Sequence, residues 1–226
     1  MLSDYVLTRI QMLAHDVAAR LSYGFTNYRS PLRSAAFTAV NRARTRVYTS
    51  TTPLECAEIY QAVQATAKIP GDMAEVGVFR GGTAAVMLSA DLTKRLHLFD
   101  TFQGLPQSER KFRVGEYAGS LEDVRGTLEQ EIERIHFHPG VFPKDSAASV
   151  SDVRFSFVHL DMDLHDGTLA ALEFFWPRVA PGGIVLSHDY HLAEGVARAF
   201  HEFFDGKRTP IIPLTGNQCL TVKITN

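Results

Sequence analysis

Residues 73–83 read MAEVGVFRGGT, a short apolar stretch that runs into a glycine-rich turn and then into good helix formers. An apolar strand, a glycine turn and a helix are the first half of a βαβ unit. Gly77 follows the strand, and Gly81 and Gly82 precede the helix, so the backbone is free to turn sharply and to approach a ligand closely. The stretch predicts the first strand of a parallel sheet with a binding loop at its carboxyl end.

The rest of the chain repeats this alternation of short apolar runs and longer helical patterns. Predicted strands cover residues 73–78, 95–100, 135–138, 153–161 and 184–188, and predicted helices cover 54–68, 83–92, 120–134, 168–178 and 192–204. Two further strands, 210–214 and 218–224, flank the turn signal Gly216-Asn217. The pattern predicts an α/β fold with a mostly parallel, doubly wound seven-stranded sheet that ends in an antiparallel hairpin.

Composition restricts the classes of partner. The 226 residues carry a net charge of -2, with 45% hydrophobic and 21% charged residues, which is typical of a soluble domain with a substantial core. That charge predicts no nucleic-acid or membrane partner, and no apolar run approaches the roughly 20 residues that span a bilayer. Two distant cysteines, Cys56 and Cys219, predict a reducing, cytoplasmic environment without a disulfide framework.

Residues 1–50 differ from the remainder in charge, with seven arginines against two aspartates. We expect a helical arm that covers the binding site or contacts a second copy of the chain in a homodimer. An organelle transit peptide is the alternative interpretation of such an Arg-rich, acid-poor segment. The catalytic domain is expected over residues 51–226.

The first loop discriminates between cofactors. A dinucleotide fingerprint requires glycine where this chain has Phe79, and that glycine lets a pyrophosphate approach the helix N-terminus. S-adenosylmethionine carries no phosphate, and an acidic residue such as Glu75, two positions before Gly77, suits it better. Asp100 ends the next strand, where a carboxylate accepts the hydroxyls of a ribose. The alternatives are that the first loop is a tight turn without a ligand and that Asp100 is a solvated aspartate at the end of its strand.

Acidic residues and a histidine follow the fourth and fifth strands. Asp161 and Asp163 come directly after the fourth strand, and His188 and Asp189 after the fifth. Both strands are expected beside the first, which would bring Asp161, His188 and Asp189 to one rim. Two carboxylates and an imidazole can hold a divalent cation. A hydrogen-bonded polar rim without metal explains the same residues, and the pattern alone leaves both open.

Four segments together resemble the macrocin and mycinamicin type of sugar O-methyltransferase, a family that includes an aminocoumarin sugar enzyme. They are AEVGVFRGGTAAVM (74–87), LFDTFQGLP (98–106), HPGVFP (138–143) and HLDMDLHDGTLAALEFFWPRVAPGGIVLSHDY (159–190). The resemblance implies a Rossmann-like methyltransferase fold, S-adenosylmethionine as donor, Mg2+ or another divalent cation, and a small-molecule acceptor, most readily a sugar hydroxyl.

Carried onto this chain, the resemblance implies roles for individual residues. The cofactor residues would be Glu75, Gly77, Phe79, Arg80, Gly81, Thr83, Asp100 and Thr101. Asp161 would be a metal ligand and a candidate catalytic base, and Asp189 a second metal ligand. His188 does not match the family's pattern, and its own chemistry makes it a candidate catalytic residue and a candidate third metal ligand. The family usually has two adjacent acidic residues where this chain has His188-Asp189. An imidazole ligates Mg2+ poorly, so His188 is expected either to change the metal or to act as a general base.

Two rival functions are compatible with parts of the sequence. Asp161-Met162-Asp163 is a DxD pattern, as in metal-dependent glycosyltransferases, but that interpretation leaves the loop from Glu75 to Gly82 unexplained. A non-catalytic relative that only binds S-adenosylmethionine is the second rival.

Overall fold

A computed structural model describes residues 31–109 and 112–224 of the chain. The chain divides into a small unit, Met1–Ala35, and a compact unit, Ala36–Asn226. Residues 1–30, which form most of the predicted arm, lie outside the described residues. The arm's roles as a cover or a dimer contact therefore stay predictions.

Seven strands form one sheet with the order β3-β2-β1-β4-β5-β7-β6. The first five strands are parallel, and β7 runs antiparallel to both β5 and β6. Their bounds are β1 Asp72–Val76, β2 Leu96–Asp100, β3 Ile135–Pro139, β4 Phe155–Leu160, β5 Val179–Ser187, β6 Ile212–Pro213 and β7 Cys219–Val222. The predicted mostly parallel, doubly wound sheet with a closing hairpin is confirmed. The strand order reverses direction at β1, and such a switch point opens a crevice at the carboxyl ends of the strands.

Within the described residues, six α-helices connect these strands or precede them. They are α1 Pro31–Arg46, α2 Pro53–Ala65, α3 Gly82–Ala90, α4 Leu121–Thr127, α5 His165–Phe175 and α6 Glu194–Phe204. Thr52 caps the start of helix α2: its side chain accepts a hydrogen bond from the Glu55 amide, and the Glu55 carboxylate accepts one from the Thr52 amide. This capping box, followed by Pro53 in the first turn, explains why the helix starts there.

Three elements depart from the sequence pattern. The helix predicted over 120–134 is an α-helix only to Thr127 and continues as the 3-10 helix Glu129–Arg134. The strand predicted over 184–188 is longer in the structure: β5 begins at Val179, and its register against β4 shifts between Phe155 and Phe157. Strand β4 lies beside β1 as expected, but β5 lies beside β4 and is one strand further from β1.

The core has two layers, one on each face of the sheet. Helices α1, α2 and α3 pack on one face, against side chains such as Met73, Leu98 and Leu186. Helices α5 and α6 pack on the other, against Phe99, Val158 and Val185. Successive strand residues point to opposite faces, so the covered sheet needs continuous apolar strands, and its polar residues collect at the strand ends.

None of the helices in the described ranges combines the length and the apolar character required to cross a bilayer. Cys56 and Cys219 are both buried free thiols.

Candidate functional site

A cavity of about 410 Å³ lies at the carboxyl ends of the parallel strands, where the switch point predicts a ligand. Gly77 follows β1, Asp100 ends β2, Asp161 follows β4 and His188 follows β5, and all four residues line this cavity. Residues from distant parts of the chain meet there because the parallel strands all end at the same edge.

Asp100 ties the first loop to the second strand. One carboxylate oxygen, Oδ2, accepts hydrogen bonds from the amides of Val78 (2.7 Å) and Phe79 (3.0 Å). The other, Oδ1, accepts from the Phe102 amide at 2.7 Å. Each carboxylate oxygen has more than one lone pair, so Asp100 both fixes the loop and presents acceptors to the cavity. The hydroxyl of Thr101 donates to the Gly104 carbonyl at 2.6 Å and holds the start of the next loop.

Glu75 lies behind the cavity wall. Its carboxylate is fully buried and accepts a hydrogen bond from the Thr83 hydroxyl, while His159 Nδ1 lies 2.9 Å from the same oxygen. Burial raises the pKa of Glu75, and the contact with His159 opposes that effect. Glu75 and Thr83 therefore connect β1, α3 and β4 beneath the loop, and neither residue lines the cavity as the structure describes it.

Asp161, His188 and Asp189 meet at one end of the cavity. Nδ1 of His188 lies 3.3 Å from Asp161 Oδ1 and 3.2 Å from Asp189 Oδ1. One ligand atom from each residue lies within 4.8 Å of the other two. The predicted convergence of these three residues is present, and the set could hold a metal ion.

Glu55 is a site residue that the sequence analysis missed. Its Oε2 lies 3.5 Å from His188 Nε2, on the side of the ring opposite Asp161. The Asn217 amide donates to Glu55 Oε1 at 2.7 Å, and the Thr52 hydroxyl donates to Oε2 at 2.7 Å. The sequence signal at Glu55 is the capping box that it forms with Thr52. This pattern indicates a role in starting helix α2 and does not indicate a position beside His188.

The electrostatics of this end of the cavity are dominated by carboxylates. Burial raises the pKa of Asp163 to about 9, and the negative charges of Asp161 and Asp189 add to that shift. Burial acts in the same direction on Glu55, but the nearby His188 and hydrogen bonds from the Asn217 amide and Thr52 outweigh it and lower the pKa of Glu55 to about 2. The cavity end is thus an acidic environment that favours a cationic ligand.

Burial lowers the pKa of His188, but the charge of Asp161 and contacts with Asp189 and Glu55 outweigh burial and raise it far above its ordinary value. Asp161 is affected in the complementary direction: burial raises its pKa, whereas His188 lowers it overall.

The loop after β2 forms one wall of the cavity. Its two ends pair through the Leu105 amide and the Glu116 carbonyl (2.9 Å) and through the Gly115 amide and the Leu105 carbonyl (3.0 Å). Leu105, Pro106 and Tyr117 from this loop line the cavity. Residues 110–111 of this loop lie outside the described residues.

An aromatic rim extends from this loop across the first one. The Phe79 ring meets Tyr117 edge-on at 6.1 Å and Tyr48 at 6.3 Å between centroids. The Arg80 guanidinium lies over both Phe79 and Tyr48, at 5.1 and 5.9 Å. Tyr48 is 63% exposed and Tyr117 46% exposed, so this rim offers flat aromatic surface to a ligand.

The structure thus divides the predicted site residues into two groups. Those that line the cavity are Gly77, Phe79, Asp100, Thr101, Asp161, His188 and Asp189. Those that lie outside its lining are Glu75, Arg80, Gly81 and Thr83. The members of the second group shape the first loop: Gly81 has a left-handed backbone (φ +82°) immediately before α3, and Arg80 packs on the rim.

Comparison with known proteins places this arrangement in a family. The chain is 32% identical over 154 residues to the 8-demethyl-8-(2,3-dimethoxy-alpha-L-rhamnosyl)-tetracenomycin-C 4'-O-methyltransferase of Streptomyces olivaceus, covering 60% of this chain and 58% of that protein. It is 27% identical over 158 residues to the mycinamicin III 3''-O-methyltransferase of Micromonospora griseorubida, covering 61% of each. The matched region therefore spans less than two thirds of these relatives.

The fold agrees with a solved structure of that group. The structure of the O-methyltransferase NovP superimposes with a TM-score of 0.69 at 23% identity, covering 84% of this chain and 88% of that one. The family model described as macrocin-O-methyltransferase (TylF) matches residues 54–214, which contain every predicted site residue. The chain belongs to the macrocin O-methyltransferase family.

Proposed function

We propose that the protein is an S-adenosylmethionine-dependent O-methyltransferase that methylates a hydroxyl of a sugar or glycosylated natural product. The observation that carries the proposal is the convergence of Asp100, Asp161, His188 and Asp189 on one cavity of about 410 Å³. The relatives whose names specify O-methylation of sugar-bearing natural products support the acceptor class.

The cavity suits a cationic nucleoside ligand. Asp100 presents carboxylate oxygens where the fold places a ribose, and the carboxylates around His188 favour positive charge. At Gly77 the first loop closely approaches the backbone of Asp161, the residue after β4, so the first loop forms a compact wall. When bound, S-adenosylmethionine would supply a methyl group already activated by its sulfonium.

The chain's own residues would align and deprotonate the acceptor. The aromatic rim of Phe79 and Tyr117 would orient a sugar-bearing molecule, since displacement requires the acceptor oxygen about 3–3.5 Å from the methyl carbon and in line with its bond to sulfur. Asp161 is the candidate to accept the hydroxyl proton because it is a carboxylate at the cavity surface. His188, whose Nδ1 lies 3.3 Å from Asp161 Oδ1, would hold Asp161 in position.

The residues present also fit a divalent cation. Asp161 and Asp189 offer carboxylate oxygens and His188 offers Nδ1, all within 4.8 Å of one another. The buried His188 ring points into this group. A cation held there would supply electrostatic stabilisation to a developing alkoxide.

Calorimetry and a methyl-transfer assay test the proposal. We expect S-adenosylhomocysteine to bind and a UDP-sugar not to bind. With methyl-labelled S-adenosylmethionine, label should appear on glycosylated acceptors and be absent from the matching aglycones. Binding of the UDP-sugar alone would favour a glycosyltransferase, and nucleoside binding without transfer to any acceptor would favour a non-catalytic relative. Neither rival is favoured by the comparisons.

A further inference from the structure

The ring nitrogens of the buried His188 side chain face carboxylate oxygens but make no well-formed hydrogen bonds with them. The residue is 8% exposed. Nδ1 lies 3.2–3.3 Å from two carboxylate oxygens and Nε2 lies 3.5 Å from a third, yet neither nitrogen makes a hydrogen bond of normal geometry with any described residue. A buried polar group in this condition needs a partner, because leaving it unsatisfied costs free energy.

The spacing around Nδ1 matches the requirements of a metal ion. Ligand atoms about 2.1 Å from a six-coordinate cation lie about 3 Å from their neighbours. Nδ1 of His188 is separated from the facing oxygens of Asp161 and Asp189 by 3.3 and 3.2 Å. A single ion between the three atoms would satisfy Nδ1 and both carboxylates together.

We infer that Asp161, His188 and Asp189 form a site that selects a borderline transition-metal ion over Mg2+, and that Glu55 positions His188 for this purpose. The metal class follows from the donors: carboxylate and water ligands suit Mg2+, whereas an imidazole nitrogen suits zinc, iron or nickel. The inference rests on the proposed function for the location of the site, and adds the class of metal and the role of Glu55.

Glu55 has the position of an outer-shell residue. A metal-bound histidine almost always directs its other ring nitrogen at a carboxylate or carbonyl, which fixes the ring and its tautomer. Here Nε2 faces Glu55 Oε2 while Nδ1 faces Asp161 and Asp189. Glu55 is itself held by the Asn217 amide and the Thr52 hydroxyl. The carboxylate therefore cannot easily turn away, and it is a positioning residue rather than a ligand.

Metal titration tests the inference without reference to turnover. The 226-residue protein is treated with a chelator, saturated with S-adenosylhomocysteine and titrated separately with Co2+ and Mg2+ by calorimetry. We expect one Co2+ per chain, with visible absorption bands, and an affinity at least tenfold above that for Mg2+. Oxygen-only sites also bind transition metals. The decisive quantity is therefore the Co2+-to-Mg2+ affinity ratio, compared between the unchanged protein and its variants.

Three variants distinguish the proposed metal ligand, His188, from the residues around it. His188→Asp should lower the Co2+-to-Mg2+ affinity ratio at least tenfold, since it restores an oxygen-only site. Glu55→Gln should weaken Co2+ binding about 10- to 100-fold and shift the Co2+ absorption bands. His191→Asp changes an exposed histidine three residues further on and should alter neither quantity. S-adenosylhomocysteine binding and the unfolding temperature establish that each variant is folded.

Equal affinity for Mg2+ and Co2+, an unchanged ratio in His188→Asp, or unchanged Co2+ bands in Glu55→Gln would each overturn the inference. So would methyl transfer that continues at full rate in chelator with no metal bound, although the proposed function would then stand. Co2+ binding with the expected variant effects but no methyl transfer to any acceptor would instead contradict the proposed function alone.

Discussion

The carbonyl oxygen of Asp161 occupies the space that a side chain on Gly77 would need. A Cβ built on Gly77 would lie 1.8 Å from that oxygen, and Gly77 also has a left-handed backbone with φ +86°. The sequence led us to expect that this glycine lets a ligand approach. The observed close approach is instead between the loop after β1 and the residue after β4, so Gly77 determines where Asp161 lies in the cavity.

Gly77→Ala should therefore destabilise the fold by about 2 kcal/mol or more, because the new methyl group collides with backbone and the residue is held at positive φ. Urea unfolding measures the change. Gly126→Ala is the matched control: Gly126 lies in helix α4, nothing lies within 4 Å of its added Cβ, and alanine there should be neutral or slightly stabilising. Equal effects of the two substitutions would contradict the steric explanation.

Asp161→Asn should lower turnover by about 10²–10⁴, the range attributed to a general base, and should leave affinity for S-adenosylhomocysteine within about threefold of the original. The carboxylate is removed while the shape of the side chain is kept. Steady-state methyl transfer and calorimetry give the two quantities. Asp152→Asn, on an exposed turn, should leave both unchanged. Turnover retained in Asp161→Asn would remove Asp161 from the mechanism.

Asp100→Asn should affect both the fold and the cofactor. The amide cannot accept from Val78, Phe79 and Phe102 as the carboxylate does, and hydrogen bonds to a charged group contribute about 1.5–3 kcal/mol. We expect a lower free energy of unfolding and at least tenfold weaker binding of S-adenosylhomocysteine. Asp123→Asn serves as comparison because its carboxylate contacts Ser120 on an exposed helix start. If nucleoside affinity survives the change at Asp100, the ribose role fails.

A histidine pair away from the site predicts a pH dependence of stability. Burial lowers the pKa of His138 to about 4, and the neighbouring His97 and His136 add to the shift. His138 Nε2 lies 3.0 Å from His97 Nδ1, whose Nε2 in turn lies 3.1 Å from Asp72 Oδ2. The ordered neutral pair is therefore disrupted when a proton binds.

The folded-state pKa of His138 lies below its unfolded value of about 6.5, so the unfolded chain takes up the proton first. The contribution of His138 to stability is complete above about pH 6.5 and is lost as the pH falls toward 4. His138→Gln should show a smaller loss over this interval than the unchanged protein, in urea unfolding at several pH values. His191→Gln should follow the unchanged protein. Since His138 is partly exposed, solvent screening reduces the size of the effect. If the free energy of unfolding falls in parallel with pH in all three proteins, His138 is not the source of the pH dependence.

The sequence predicted the sheet and the placement of several site residues for one physical reason. A parallel sheet covered on both faces needs apolar strands, and the carboxyl ends of those strands meet at one edge. Asp100, Asp161, His188 and Asp189 each stand at such an end, so their convergence could be predicted from position alone. The hairpin could be predicted as well, because Gly216-Asn217 separates two apolar runs at the correct spacing.

Other properties depended on packing between segments remote in the chain. The bond between Glu55 and the Asn217 amide spans 162 positions, and no local pattern indicates that a helix start and a hairpin turn meet beside His188. Glu75 has the residue type of a cofactor contact, but its carboxylate is fully buried beside Thr83 and His159 and does not line the cavity. Local propensity and periodicity thus determined which elements form and which residues end them. Only the tertiary structure decided which carboxylates surround His188, because contacts between distant segments are selected by the packing of the whole sheet and its covering helices.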